Sequence, residues 1–137
     1  MATVLNPYIN FDGNTREAME FYKSVFGGKL DLNTFGEFKA AEDPADADKI
    51  MHSQLETPGG WKFMAADITK KFEYKPGSNF SMSLSGEDEA ELKSYFEKLG
   101  ESGTVTMPME KQMWGDQFGM VNDKFGITWM VNINAAK

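Results

Sequence analysis

Apolar and polar residues alternate along short segments in both halves of the chain, and one longer segment in each half has helical spacing instead. In the first half, the alternation predicts strands at residues 4–11, 29–38, 50–57 and 61–66. A helical segment lies between the first two of these strands. Its apolar face consists of Ala18, Phe21, Tyr22, Val25 and Phe26.

The same order of segments returns in the second half. Strands are predicted at residues 80–85, 104–110, 117–122 and 127–133. The helical face between the first two consists of Leu92, Tyr95, Phe96 and Leu99. This second helix is expected to carry the acidic residues 87–89 in its first turn and to end at Gly100.

Local signals also bound the first helix. Asn14 is its predicted N-cap, and Glu17, three residues later, is the predicted capping-box partner. The Gly27-Gly28 pair predicts its C-terminal end. Polar residues 40–48 are expected to form a loop between strands.

The repeated order of segments is the most informative feature of the sequence. Its closing strands align Met64 with Met130. Its opening strands align Ile9 with Met82. These matches preserve apolar character. Two helix-on-strand units of unrelated ancestry could produce the same matches, which is the alternative to a duplication of the whole module.

The repeat predicts an α+β fold of paired β-α-β-β-β modules that form curled mixed sheets around a cleft. We expect a single domain over residues 1–137, with module one at 1–67, a linker at 68–78 and module two at 79–137. Each sheet has one face covered by its helix, so the other face also needs a cover. The cleft between curled sheets is the expected place for function.

Charge and composition then exclude several classes of function. The chain has 14 basic and 21 acidic residues, for a net charge of -7, which argues against nucleic-acid partners and against docking on an anionic membrane. It has no cysteine, which removes thiolate nucleophiles and cysteine-based metal sites. Residues 1–4 lack a basic segment followed by an apolar one, so we expect a cytoplasmic protein.

Six short motifs carry a family resemblance. They are Pro7–Gly13 (PYINFDG), Glu17-Ala18, Phe21–Gly28 (FYKSVFGG), Ile50–Leu55 (IMHSQL), Trp114–Gly119 (WGDQFG) and Asp123–Trp129 (DKFGITW). Together they resemble the PhnB-like branch of the vicinal oxygen chelate superfamily, which includes glyoxalases, bleomycin resistance proteins and extradiol dioxygenases. This branch is often labelled after 3-demethylubiquinone 3-methyltransferase.

The resemblance covers nearly the whole chain and implies paired modules and a homodimer. It does not imply a methyltransferase. A Rossmann-type domain for S-adenosylmethionine needs a glycine-rich loop that opens a helix after a strand, and the sequence shows no such loop.

The resemblance also implies where a metal would bind. Metal-dependent members of the superfamily place His or Glu ligands on the first and last strand of each module. In this chain the last-strand positions fall on Met64 and Met130. The first-strand positions fall on Asn6 or Pro7 and on Asn79 or Phe80. None of these is a strong ligand for a divalent ion, so we expect neither a metal nor another cofactor.

The alternation along the strands selects the residues expected to line the cleft. They are Tyr8, Asn10, His52, Gln54, Met64, Ser81, Trp114 and Met130. Aromatic and thioether groups with a few polar neighbours suit a small organic ligand. The alternative is that these side chains merely fill the space between the modules. His52, the single histidine, is either a general base or lone ligand, or a structural or surface residue.

Three functions are compatible with this sequence. The favoured one is a metal-independent protein that binds a small apolar or aromatic molecule. The first alternative is a glyoxalase- or dioxygenase-type enzyme with a non-standard metal site. The second is an interaction module without a ligand, whose own side chains fill the cleft.

Overall fold

Two compact units make up the computed structural model, Met1–Pro76 and Gly77–Lys137. The structure describes residues 3–69 and 72–135. The boundary between the units falls within the predicted linker at 68–78, of which Lys70 and Lys71 lie outside the described residues. The predictions for residues 1, 2, 136 and 137 also lie outside them.

In its described residues, 3–69 and 72–76, the first unit contains a four-stranded sheet and one α-helix. Its elements are β1 (Tyr8–Phe11), α1 (Thr15–Phe26), β2 (Lys29–Thr34), a short 3-10 helix (Pro44–Asp46), β3 (Ile50–Glu56) and β4 (Lys62–Asp67). The strand order is β1-β4-β3-β2. β1 is parallel to β4, and the other neighbours are antiparallel.

The second unit repeats this plan. Its elements are β5 (Met82–Gly86), α2 (Glu89–Glu101), β6 (Thr104–Lys111), β7 (Gln117–Asn122) and β8 (Thr128–Ile133). The strand order is β5-β8-β7-β6, again with one parallel pair, β5 with β8. The predicted fold class, two modules of β-α-β-β-β with mixed sheets, is confirmed. Among the described residues, no helix has the length and apolar character needed to cross a membrane.

The core of each unit lies between its helix and one face of its sheet. In the first unit, Tyr22 is fully buried and its ring packs edge-on against Phe63, with ring centroids 5.5 Å apart. In the second unit, Phe96 of α2 approaches the backbone of β7 at Gly119 so closely that an added Cβ would lie 2.8 Å from the ring. The predicted apolar stripes are buried except at Phe21 and Tyr95, which are half-buried.

The start of α1 differs from the prediction. Asn14 is the N-cap residue, but its side chain makes no capping hydrogen bond, so the predicted capping box with Glu17 is wrong. The N-terminus of the helix is instead held by Asp67 from the end of β4. Its Oδ1 accepts hydrogen bonds from the backbone N–H and the hydroxyl of Thr15, at 3.0 and 2.7 Å. A carboxylate supplied by tertiary structure has replaced the local cap.

Other boundaries also shift. β1 begins at Tyr8 rather than at residue 4, and residues 35–38 form a turn rather than part of β2. Gly100 lies inside α2, which continues to Glu101. Asp88 is the N-cap of this helix and its side chain accepts from the Glu91 N–H, so Glu87 precedes the helix.

The repeat is real, but its first strands align differently from the sequence pairing. Met64 lies opposite Tyr8 in the first unit, and Met130 lies opposite Ser83 in the second. Taking Met64 and Met130 as equivalent therefore matches Tyr8 with Ser83. By the same register Ile9 matches Leu84 rather than Met82. The shift of two residues is one full period of a strand, so the assignment of side chains to faces is unchanged.

Candidate functional site

Each sheet has one face turned away from its own helix, and these two faces hold most of the candidate residues. In the first unit we call this the polar face. It consists of Tyr8, Asn10, Asp31, Asn33, His52, Gln54, Met64 and Ala66. In the second unit we call it the methionine face. It consists of Ser83, Ser85, Met107, Glu110, Phe118, Met120, Met130 and Asn132.

The polar face brings together five of the residues singled out in the sequence. Tyr8, Met64 and Gln54 stand side by side on β1, β4 and β3. Asn10 and His52 lie in the adjacent row on the same face. The ring centroids of Tyr8 and His52 are 6.1 Å apart, with the rings tilted by 41°. Cross-strand neighbours at this spacing form one continuous surface.

The surroundings of Tyr8 favour its neutral phenol. Burial raises the pKa of Tyr8 above its usual value, because a phenolate is poorly solvated there. Ala66, on the same face, is only 7% exposed, so a small and covered residue lies beside Asn10 and close to the two rings. The side chains of Tyr8, Asn10 and His52 can therefore donate and accept hydrogen bonds around the small side chain of Ala66.

The methionine face has a different chemistry. Met107, Met120 and Met130 stand opposite one another on β6, β7 and β8, and Ser83 ends the row on β5. Adjacent strands place such side chains about 5 Å apart at Cβ, so the thioethers form a continuous band. Thioether side chains are flexible and polarisable, and they adapt to aromatic shapes.

Aromatic rings border this band. Phe118 lies one row further along β7. Trp114 lies in the turn before β7, 62% exposed, with its ring centroid 6.3 Å from that of Phe118. Ser81 is exposed and comes one residue before β5 begins, so Ser83 takes the place in the row that the sequence pairing gave to Ser81.

Sequence reasoning missed Met107, Met120 and Asn132. Strict alternation along residues 117–122 marks Met120, since it shares a face with Phe118. Met107 was harder to place because the pairing of β6 with β7 shifts register on both sides of it. The position of the Asn132 side chain depends on its hydrogen bonds to Asp116 and Asn134, which alternation along a strand does not reveal.

A hydrogen-bond network fixes Asn132 at the end of the methionine face. Its Nδ2 donates to Asp116 Oδ2 at 3.0 Å and to Asn134 Oδ1 at 2.8 Å. Asp116 Oδ1 accepts in turn from the backbone N–H of Ala135 at 2.8 Å. The hydrogen bond from Asn132, followed by that from Ala135, lowers the pKa of Asp116, so its carboxylate is ionised at neutral pH.

The residues at the metal positions of the superfamily do not fit a divalent ion. Met64 lies opposite Tyr8, and its backbone N–H donates to the Pro7 carbonyl at 3.0 Å. Met130 lies opposite Ser83. Two thioethers, together with an amide or no donor atom at the first-strand positions, are a poor donor set for zinc, nickel or iron(II). Those first-strand positions are Asn6 or Pro7 and Asn79 or Phe80. Within residues 3–69 and 72–135, no three His, Cys, Asp or Glu side chains are grouped so that they could hold a metal ion.

Comparisons with known proteins agree with this architecture. Protein YjdN of Escherichia coli (strain K12) is 31% identical over an alignment of 141 positions, which covers 94% of each chain. The crystal structure of protein PA1353 from Pseudomonas aeruginosa is 37% identical and superimposes with a TM-score of 0.82, covering 98% of this chain and 100% of that one.

A more distant solved structure shares the fold. The glyoxylase/bleomycin resistance protein/dioxygenase domain from Frankia sp. EAN1pec is 14% identical, with a TM-score of 0.67 and coverage of 98% of both chains. The model of the 3-demethylubiquinone-9 3-methyltransferase family matches residues 3–132. The chain therefore belongs to the 3-demethylubiquinone-9 3-methyltransferase family, whereas the likeness to the Frankia domain shows the fold alone.

Proposed function

We propose that this protein binds a small apolar or aromatic molecule without a metal ion. The observation that carries the proposal is the row of Met107, Met120 and Met130 on three adjacent strands. An aromatic ring laid on this row would contact three thioethers at once. Sulfur–aromatic contacts of this kind contribute roughly 0.3–1.5 kcal/mol each.

Exposed apolar groups around the row support the same function. Met107 is 40% exposed and Trp114 is 62% exposed. Apolar surface left in water is unfavourable by about 25 cal/mol per Å², and a bound ring would remove part of it from water. The polar face of the first unit carries a phenol, an imidazole, three amides and a carboxylate, which suit polar groups better than an apolar ring.

The alternative is an enzyme of glyoxalase or dioxygenase type, with His52 as a base or ligand. His52 lies beside Tyr8 on the polar face, with the ring centroids 6.1 Å apart. The donor set described above argues against a metal-centred reaction. A methyltransferase is also disfavoured, because the connection from β1 to α1 is short and has Gly13 as its single glycine.

We also propose that the protein is a homodimer. Leu5, 96% exposed, comes just before β1, and Phe80, 86% exposed, comes just before β5. Both strands are edges of their sheets, and a second copy would cover these apolar groups and edges. Sedimentation velocity at micromolar concentration should show a dimer, and a monomer would contradict this part of the proposal.

Calorimetric titration tests the binding function. Protein treated with a chelator is titrated with 2-methoxynaphthalene and with 2-naphthol. We expect at least one of them to bind, with a Kd of roughly 10 µM to 1 mM, as suits a ligand of this size. The double variant Met120→Ala/Met130→Ala should weaken binding at least about tenfold, because it removes two thioethers from the row.

The matched control is Met113→Ala. Met113 is fully exposed in the turn before β7, so its truncation removes a methionine without changing the row, and binding should be unchanged. Two results would contradict the proposal. One is the absence of binding by either compound up to its solubility limit, and the other is binding that disappears on chelation and returns with a divalent metal.

A further inference from the structure

Asn132 is a polar group at the edge of the row of methionines on the methionine face. It lies on β8 between Phe118 of β7 and Ser85 of β5. Met130 precedes it by two residues and therefore points to the same side of the sheet. A ligand resting on the thioethers would meet this amide at its edge.

The orientation of the Asn132 amide is determined by its neighbours. The ionised Asp116 carboxylate has no proton to donate, so the group of Asn132 that faces it at 3.0 Å must be the NH₂. The second proton of that NH₂ goes to Asn134 Oδ1 at 2.8 Å. Rotation of the amide by half a turn would break both hydrogen bonds, which holds the group in one orientation.

This arrangement leaves a directed acceptor. Asn132 Oδ1 receives no hydrogen bond from any residue in the parts of the chain that the structure describes, 3–69 and 72–135. Asn122, one row beyond the thioethers on β7, differs in this respect. Its Oδ1 already accepts from the Thr128 hydroxyl at 2.7 Å.

We propose that Asn132 Oδ1 is the specificity-determining acceptor of the site, and that the ligand is an aromatic alcohol or amine whose O–H or N–H donates to it. This inference rests on the proposed binding function and names its ligand class. The ring would lie over Met120 and Met130, next to Phe118. A carboxylate is excluded at this point, because it has no proton to donate and would meet the negative charges of Asp116 and Glu110.

Three matched probes test the ligand class. 2-Naphthol has a donor, 2-methoxynaphthalene has the same ring with the donor methylated, and 2-naphthoate carries a negative charge. In the wild-type protein, 2-naphthol should bind about five- to tenfold more tightly than the ether, which is the usual contribution of one hydrogen bond. 2-Naphthoate should bind most weakly of the three.

Variants assign the preference to Asn132. Asn132→Ala should bring the affinities for 2-naphthol and its ether to within about twofold of each other, with the ether affected little. The control Asn122→Ala should keep the full preference, since that amide oxygen is already engaged. Asp116→Ala frees the Asn132 amide to rotate, so it should reduce the preference while leaving the affinity for the ether unchanged. That separation identifies Asp116 as a positioning residue.

The outcomes separate this inference from the binding function. Equal affinity of the wild-type protein for 2-naphthol and the ether overturns the inference and leaves the binding function standing. A preference that survives Asn132→Ala also overturns it. Absence of binding by either probe overturns both.

Discussion

Replacing Gly28 with alanine is expected to destabilise the first unit by about 3–4 kcal/mol, as measured by urea unfolding followed by circular dichroism. An added Cβ at this position would lie 2.1 Å from the carbonyl oxygen of Glu56 and 2.9 Å from the Cα of Thr57. Both neighbours are backbone atoms at the end of β3, so neither can rotate away. Gly28 also has a φ of 96°, which L-residues with a side chain adopt only with strain.

Two matched variants separate these two causes. Gly13→Ala shares the positive φ, 89°, but its Cβ would have no atom within 4 Å, so it should cost only about 1 kcal/mol. Gly103→Ala is the equivalent position in the second unit, where the Cβ would lie 2.1 Å from the carbonyl oxygen of Asn122. Gly103 lacks the positive φ of Gly28, so its replacement should cost that unit about 1 kcal/mol less than Gly28→Ala costs the first. Equal losses of unfolding free energy for Gly28→Ala and Gly13→Ala would contradict a close approach between Gly28 and the Glu56 carbonyl.

Replacing Asp67 with alanine is expected to cost about 3–5 kcal/mol of unfolding free energy. Asp67 is 5% exposed, and its carboxylate accepts three hydrogen bonds, two from Thr15 and one from the Ile50 N–H at 2.8 Å. It thereby joins the end of β4 to the start of α1 and to the start of β3. Its removal leaves buried N–H groups without partners, which is more costly than the loss of the bonds themselves.

Asp67→Asn should be milder, at about 1–3 kcal/mol, because one oxygen remains while the new NH₂ opposes an N–H donor. The control is Asp31→Ala, at an exposed position on the polar face, which should change stability by no more than about 0.5 kcal/mol. A cost for Asp67→Ala as small as that of the control would show that the carboxylate is not needed to hold α1.

The elements that the sequence predicted well are those with strong periodicity. β7 was predicted at its observed bounds, because Phe118, Met120 and Asn122 alternate with buried or small residues without interruption. β2 was predicted too long. The alternation of Leu30, Leu32 and Thr34 stops at residue 35, where a turn begins that is hydrogen-bonded to the loop after it. Periodicity reports which residues are apolar, and it does not report where the ladder ends.

Features that depend on distant contacts could not be predicted in this way. The cap of α1 comes from Asp67, 52 residues after Thr15, while the local sequence offers a plausible capping box. The same limit applies to the site. Alternation placed Tyr8, His52 and Gln54 on one face, but the fixed amide of Asn132 exists only because Asp116 and residues 134–135 meet at the end of β8.

The most direct test of the binding function is a methyl spectrum of protein labelled with carbon-13 at its methionine methyl groups, recorded as 2-naphthol is added. A ligand on the methionine face should cause saturable shifts of the Met107, Met120 and Met130 methyl signals. The signal of Met19, a fully buried residue of α1, should stay in place. Absence of any shift in the three face methionines at saturating 2-naphthol, or shifts confined to methionines elsewhere in the chain, would contradict a ligand site on the methionine face.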